Sequence, residues 1–302
     1  MDCMMYLWEK FVPMRYFVVD AFAGAPFGGN PAGVVLLEGN STFPDDSLMT
    51  SIAAELRYSE TAFVQQDGPA EFTVRYFTPC GEVDLCGHAT IATFSVLRDE
   101  GIIPEGTVCL NHTLAGDLEV IAGKEIMMQM AAPQVIGKPL DAGRLYRIMM
   151  PGGGQGNLSG SGNALVPEIV STGLPDIIMP VCSLEELQAL APDMDALAHL
   201  SRELEVVGVH AFALSDDGYT AHVRNFAPLY GIPEESATGT SNAALTYYLY
   251  RHGMVQSVGG CRFMQGEAMG RPSVVATQLR PEGSVYVGGN SYILASGELR
   301  VG

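Results

Sequence analysis

Val74-Arg75-Tyr76-Phe77-Thr78-Pro79 recurs as Val223-Arg224-Asn225-Phe226-Ala227-Pro228 about half a chain later, so the sequence contains a weak copy of itself. Self-similarity over that separation implies two similar halves. The first copy runs into Asp84-Leu85-Cys86-Gly87-His88-Ala89-Thr90. The second runs into Glu235-Ser236-Ala237-Thr238-Gly239-Thr240-Ser241, with three extra residues in its connection. In each half a strand ends at Pro, crosses a Gly-containing acidic loop and enters an apolar helix at a small polar cluster. Two helix amino ends aimed at a shared cleft would make a two-sided anion site, because each offers unpaired backbone N–H groups and the positive end of a helix dipole.

Working outward, Tyr16 to Phe22 is a β-rich opening strand, followed by the Gly/Pro loop through Gly28-Gly29-Asn30-Pro31 and the apolar run Ala32 to Leu37. Asp45 or Asp46 caps a helix whose apolar face is Leu48, Ile52, Ala53 and Leu56. Ser59-Glu60-Thr61 then leads into the strand Ala62-Phe63-Val64, which puts Glu60 at a helix-to-strand junction. The segment from Gly87 to Glu100 is small and apolar around most of its circumference, as is its counterpart from Gly239 to His252. Such helices are swallowed by a sheet.

A chain of 302 residues suggests two domains of roughly 150 residues, and 47% hydrophobic content fills two cores. A formal net charge of −18 repels phosphate backbones and anionic lipid at long range, so neither nucleic acid nor membrane is an expected partner. A small anionic substrate is compatible with that charge, since salt screens distant charges beyond about 8–10 Å. The six cysteines are dispersed without a C-x-x-C pair or a His at zinc-finger spacing, so no metal is expected and a reduced cytoplasmic setting fits. Residues 1–14 make a poor signal peptide and read as an extension, with the fold starting near Arg15. The Gly-rich stretch Pro151 to Gly162 lacks a Gly-Lys-Ser/Thr ending and the G-x-G-x-x-G spacing, and reads as a connection rather than a nucleotide site.

The chemistry-bearing residues are few. Glu60, ahead of a buried strand, is placed to take a proton from carbon; a Glu at a helix end is otherwise a solvated or capping residue. His88 at a helix start either donates to a substrate or is a satisfied structural donor. Asp84 and Glu235 read as loop or capping acids, and Thr240 as a first-turn hydroxyl. Cys86, just before Gly at a helix amino end, has the setting of a reactive thiol, but reads first as a small buried side chain. A symmetrical two-thiol racemase is disfavoured, because the repeat sets Thr238 opposite Cys86 and a hydroxyl does not replace a thiol as acid or base.

These residues also carry a resemblance. Val19-Asp20-Ala21-Phe22 with Gly29-Asn30-Pro31-Ala32-Gly33-Val34, Ser59-Glu60-Thr61-Ala62-Phe63, Tyr76-Phe77-Thr78-Pro79 with Glu82 to Thr90, Arg224-Phe226-Pro228 with Gly231 and Ala237-Thr238-Gly239, and Gln265-Gly266 with Gly270-Arg271-Pro272-Ser273 follow one another in order. On them the chain resembles the PhzF-like family, named after the phenazine-biosynthesis isomerase and related in fold to diaminopimelate epimerase and proline racemase. The resemblance implies an α+β fold of two pseudo-symmetric domains, each a sheet or barrel wrapped around a central helix. Residues 15–135 would form the first and 136–283 the second, with a last strand at about 284–302 returning to the first.

The resemblance further implies cofactor-independent isomerisation of a small carboxylate-bearing substrate in the interdomain cleft, with Glu60 as acid/base. The family's histidine falls on His88. Its aspartate and serine fall on Glu235 and Thr240, a longer acid and a bulkier hydroxyl that put substrate identity in question. The accompanying substrate-binding positions are Gly87 and Ala89, Gly239 and Ser241, and Asn30. Exposed β edges and family habit favour a homodimer. Two alternatives stand beside this reading: a one-thiol epimerase or racemase acting through Cys86, and a non-catalytic binding protein that keeps the fold.

Overall fold

The computed structural model describes residues 14–37, 42–152, 165–256 and 259–301. The Gly-rich connection therefore lies outside the described residues from 153 to 164, as does the expected extension as far as residue 13. Met14, expected in that extension, instead opens a strand. The described chain divides into two compact units, the first taking 14–21, 31–126 and 291–301 and the second 22–30 and 127–290.

The first unit contains β1 (Met14–Ala21), β2 (Asn30–Leu36), α1 (Asp46–Leu56), β3 (Thr61–Gly68), β4 (Glu71–Thr78), β5 (Gly81–Val83), α2 (Gly87–Asp99), β6 (Thr107–Thr113) and β7 (Gly116–Ala122). It ends with the closing strand Ser291–Leu299, which runs antiparallel to β1 with Leu299 opposite Met14. From β1 the sheet passes to β2, to the parallel β3, to the antiparallel β4, to the parallel β6 and to the antiparallel β7, while β5 folds back on β4. Every residue of α2 from His88 to Leu97 is buried. The helix packs on β1, β3, β7 and the closing strand, which are spread across the sheet, so the sheet curls around it. That all-round burial is what its small apolar composition requires. Asp45 sits at the N-cap of α1 but makes no side-chain cap bond, and Asp46 accepts from Arg75 at 2.9 Å; neither acid caps through its side chain as the sequence suggested.

The second unit contains β8 (Ile126–Gln129), β9 (Gln134–Ile136), α3 (Ala142–Met149), β10 (Glu168–Ser171), β11 (Pro175–Pro180), α4 (Leu184–Gln188), α5 (Met194–Leu204), β12 (Val209–Leu214), β13 (Ala221–Ala227), β14 (Ile232–Glu235), α6 (Gly239–Arg251), β15 (Gly259–Gln265), β16 (Ser273–Leu279) and β17 (Val285–Gly289). Its pairing repeats that of the first unit. β11 and β12 are parallel, β12 and β13 antiparallel, β14 folds back on β13, β13 and β15 are parallel, and β15 and β16 antiparallel. α6 is wrapped by β10, β11, β12, β16 and β17. The longer connection of this unit includes a 3-10 turn, Pro228–Tyr230, ahead of β14. α3 and α5 cover a further core through Leu145, Met149, Leu197 and Leu200.

One device is conserved between the repeats and explains the arginine of the duplicated stretch. Arg75 donates to both carboxylate oxygens of Glu82 at 2.7 and 2.6 Å, and Arg224 to both of Glu234 at 2.8 and 2.8 Å. Each pair ties a strand to the short strand that leads into the central helix, with the two-point geometry for which guanidinium is suited. Each guanidinium also lies over the phenylalanine two residues on, 5.2 Å from Phe77 and 4.8 Å from Phe226.

The unit boundary falls at 126/127 rather than the expected 135/136, and the return to the first unit begins at Ser291 rather than about 284. Met130 N–H donates to Val285 O at 2.8 Å, which holds the intervening stretch on the second unit. Residues 22–30 also belong there. Val274 N–H donates to Phe22 O at 2.8 Å, Ala23 N–H donates to Asn290 O at 3.0 Å, and Arg271 donates to the carbonyls of Gly28 and Gly29 at 2.8 and 2.9 Å. The Gly-Arg-Pro-Ser stretch thus acts as a clamp on the Gly-Asn-Pro loop. Among the described residues no helix is long and apolar enough to cross a membrane.

Candidate active site

Glu60 is placed by the start of a parallel ladder. Arg57 ends α1 in the left-handed conformation at φ 62°, and Glu60 O then accepts from Gly33 N–H at 3.1 Å where β2 meets β3. A side chain at Gly33 would reach Thr61 Oγ1 at 2.8 Å and Leu56 Cδ1 at 3.2 Å, so only glycine lets the junction close. The carboxylate that emerges has Oε2 buried, 3.3 Å from Nε2 of His88, yet not aligned with any hydrogen-bond donor among the described residues. Ser59 Oγ lies 3.3 Å from the same nitrogen. Cys86 Sγ lies 3.4 Å from Nδ1 of His88. Burial pushes the His88 imidazole below the usual histidine range, against the smaller opposing pull of Glu60, so the ring is neutral near neutral pH.

The start of α2 is anchored from below. Asn111 Nδ2 donates to Tyr76 OH at 3.1 Å, that hydroxyl lies 2.6 Å from Thr90 Oγ1, and Thr90 donates to Cys86 O at 2.8 Å. Cys86 occupies the N-cap position without a side-chain cap bond. The first-turn N–H groups, with Gly87 and Ala89 among them, are therefore not closed off by a capping side chain. The structure so brings Glu60, His88, Gly87 and Ala89 into one neighbourhood, together with Ser59 and Cys86.

Glu235, Thr240, Gly239, Ser241 and Asn30 fall in the second unit. There the carboxylate of Glu235 accepts from Asn30 Nδ2 at 3.1 Å and from Thr238 Oγ at 3.0 Å. Asn30 Nδ2 also reaches Ala237 O at 3.2 Å, so its amide holds Glu235 beside the start of α6. The buried hydroxyl of Ser241 donates to Asp176 and accepts from Asn225 Nδ2 at 3.1 Å, which turns this side chain towards the core. Gly239 is buried, and a Cβ at this position would meet Val287 at 3.4 Å, an ordinary packing contact. Thr240, partly exposed, is the counterpart of His88 in the repeat, and its carbonyl accepts from Thr172 at 2.9 Å.

Sequence reasoning missed the network beneath Glu235. Gln265 is fully buried and spends its whole amide there, accepting from Thr238 N–H at 3.1 Å and Asn242 Nδ2 at 2.8 Å, and donating to Glu235 O at 2.8 Å and Thr238 Oγ1 at 3.0 Å. With Oγ1 accepting from Gln265, the Thr238 proton is free to point at Glu235. The Gln-Gly motif was visible in the sequence, but its partners were not. Gln265→Leu would orphan these buried groups at once, and we expect a loss of stability on the order of 3 kcal/mol in urea unfolding.

The network continues from Asn242 Oδ1 to His210 Nε2 at 3.3 Å, from His210 Nδ1 to Asn225 Nδ2 at 3.3 Å, and through Ser241 to Asp176. Burial lowers His210 to about 3, so its ring is neutral and accepts at Nδ1. Burial raises Asp176 to about 6, against the hydrogen bonds from Ser241 and Gly208. Because the folded value lies above the unfolded one, this carboxyl's stabilising share is full below about pH 4 and is lost as pH rises through about 6. Wild type should therefore lose roughly 1.4 kcal/mol relative to Asp176→Asn between pH 5 and pH 7, as read by urea unfolding at both values; His210 is common to both proteins and cancels.

With this geometry in place, comparison with known proteins identifies the family. Residues 19–297 match the family model for phenazine biosynthesis-like proteins. The chain is 32% identical to an uncharacterized isomerase of Clostridium acetobutylicum over 94% of this chain and 97% of that protein. Its structure resembles that of a Bacillus anthracis phenazine biosynthesis protein of the PhzF family at a TM-score of 0.81 and 26% identity, covering 96% of this chain and 100% of that one. The fold alone extends to a hydroxyproline epimerase from Agrobacterium vitis, at a TM-score of 0.62 and 14% identity, covering 96% and 92% of the two chains. A duplicated sheet-around-helix unit, a Glu–His–Cys cluster at the start of its first central helix and a match over nearly the whole length converge on one assignment: the chain belongs to the PhzF-like family of isomerases, built on the diaminopimelate epimerase-like fold.

Proposed function

We propose that the protein is a cofactor-independent isomerase that moves a proton on a small carboxylate-bearing molecule, with Glu60 as the group that takes and returns it. The observation that carries this reading is the buried Glu60 Oε2, 3.3 Å from a neutral imidazole and without a hydrogen bond among the described residues. An oxygen left open in this way is placed to meet the C–H group of a bound substrate. The adjacent amino end of α2 favours the substrate carboxylate and the enolate charge that develops beside it. In the step itself, Glu60 takes the proton of a C–H bond whose electrons pass into the conjugated carboxylate, and the same oxygen then delivers the proton to another carbon on that face. One base suffices. Neutral His88 orients the substrate through whichever nitrogen carries its proton.

The close approach of Cys86 Sγ to His88 Nδ1, at 3.4 Å, supports a second reading in which the thiol is the acid/base of an epimerase. Proton NMR in D₂O on a panel of amino acids and cyclic unsaturated amino or hydroxy acids separates the two. Deuterium uptake or a new isomer that survives Cys86→Ser supports Glu60. Loss with Cys86→Ser and retention with Glu60→Gln supports the thiol. Silence on compounds that bind, as detected by a rise in melting temperature, refutes both and favours a non-catalytic binder.

A further inference from the structure

Three different donor types meet at the start of α2: the carboxylate of Glu60, the thiol of Cys86 and the imidazole of His88, with ligating atoms all within 4.8 Å of one another. Cys86 and His88 are buried and Glu60 is partly so. Nε2 of His88 is 3.3 Å from Glu60 Oε2 and 3.8 Å from Cys86 Sγ. A tetrahedral zinc ion bound by thiolate at about 2.3 Å and by nitrogen and oxygen at about 2.0 Å has donor-to-donor edges of about 3.3–3.6 Å. Two edges of the cluster therefore already approach the length that one ion would impose. The carboxylate oxygen is the one without a hydrogen bond among the described residues, so engaging a cation costs it no existing bond. Asn111, Tyr76 and Thr90 tether the carbonyl of Cys86, which holds the Cys-Gly-His turn in place before a ligand arrives. Sequence spacing hid the set because Glu60 comes from the start of β3, far along the chain from Cys86 and His88.

We propose that Glu60, Cys86 and His88 form a three-ligand site for zinc(II) or a similarly soft divalent cation, and that the cation inhibits the enzyme by occupying the oxygen that would otherwise take a proton. A thiolate and an imidazole in one set select a soft or borderline ion over magnesium or calcium. On binding, the Cys86 S–H bond breaks, its proton passes to the buffer and the sulfur electron pair forms the bond to the metal. Three protein ligands leave one position for water or a substrate oxygen. The binding claim stands on geometry alone; only the inhibitory consequence rests on the isomerase reading.

The test is a cobalt(II) titration of the full-length, reduced, metal-free protein, followed by displacement with zinc(II). One equivalent should bring up a thiolate-to-cobalt charge-transfer band in the near ultraviolet and intense tetrahedral bands in the visible, and zinc should abolish both. The charge-transfer band should vanish in Cys86→Ser and persist in Cys80→Ser, whose thiol is exposed elsewhere. Glu60→Gln should weaken cobalt binding at least tenfold while keeping the charge-transfer band, which guards against a Cys86 variant that fails to fold. Absence of any tetrahedral spectrum, or a charge-transfer band that survives Cys86→Ser or is lost in Cys80→Ser, overturns the site. These spectra need no substrate. If the metal signature is present and no compound turns over, the isomerase reading has failed and the cation site stands.

Discussion

Glu60→Gln should lower solvent-isotope exchange and isomer formation by about 10²–10⁴-fold, the usual contribution of a positioned acid or base, with little change in melting temperature. The amide keeps the size and planarity of the carboxylate but presents no oxygen basic enough to take a proton from carbon. The fold has no stake in the charge. Glu60 meets a neutral ring rather than a cation, and what ties this residue to the sheet is its backbone carbonyl, bonded to Gly33 N–H at 3.1 Å. Activity therefore separates from stability in this variant. Exchange measured by NMR alongside thermal unfolding checks both halves; turnover that survives the substitution would sink the one-base mechanism, and collapse of the fold would sink the account of how Glu60 is held.

Gly208→Ala should have the largest effect on folding. A methyl group there would lie 1.9 Å from Phe226 O and 2.8 Å from Phe226 C, both backbone atoms of the neighbouring β13, so no side-chain rotation relieves the overlap. Moving Gly208 instead breaks its N–H bond to Asp176 at 3.0 Å and the bond from Ile177 N–H to its carbonyl at 3.0 Å, which seat β12 between β11 and β13. We expect a loss of more than about 4 kcal/mol, hence a fall in melting temperature on the order of 10 °C or more, or failure to accumulate folded protein. Gly137→Ala, at an exposed position where a methyl meets nothing within 4 Å, should be close to neutral in the same measurement. Equal behaviour of the two would show that the close approach at Gly208 is not what the fold depends on.

The duplicated stretch, read with the small-residue helices that follow each copy, was enough to establish two similar units wrapped around central helices. That much was legible because amphipathic period, strand length and turn residues are local properties, and because duplication writes the same local pattern twice. Gly87 and Gly239 as helix starts, and Glu60 at the mouth of a strand, were legible for the same reason. Tertiary structure decided the rest. The parallel pairing of β2 with β3 brings Glu60 to His88 and Cys86, and no local pattern sets such a register. Ser241 and Asn30 sit where small polar residues at a helix start or loop invite a ligand, and neighbours from other strands and loops bond their side chains: Asp176 and Asn225 for the first, Glu235 for the second. The passage of residues 22–30 into the second unit depends on Arg271, more than two hundred residues away, reaching two carbonyls of that loop. Local chemistry thus determined the elements and their duplication, while the side-chain environments that decide function were set by which distant strands share a sheet and which buried polar groups must find partners there.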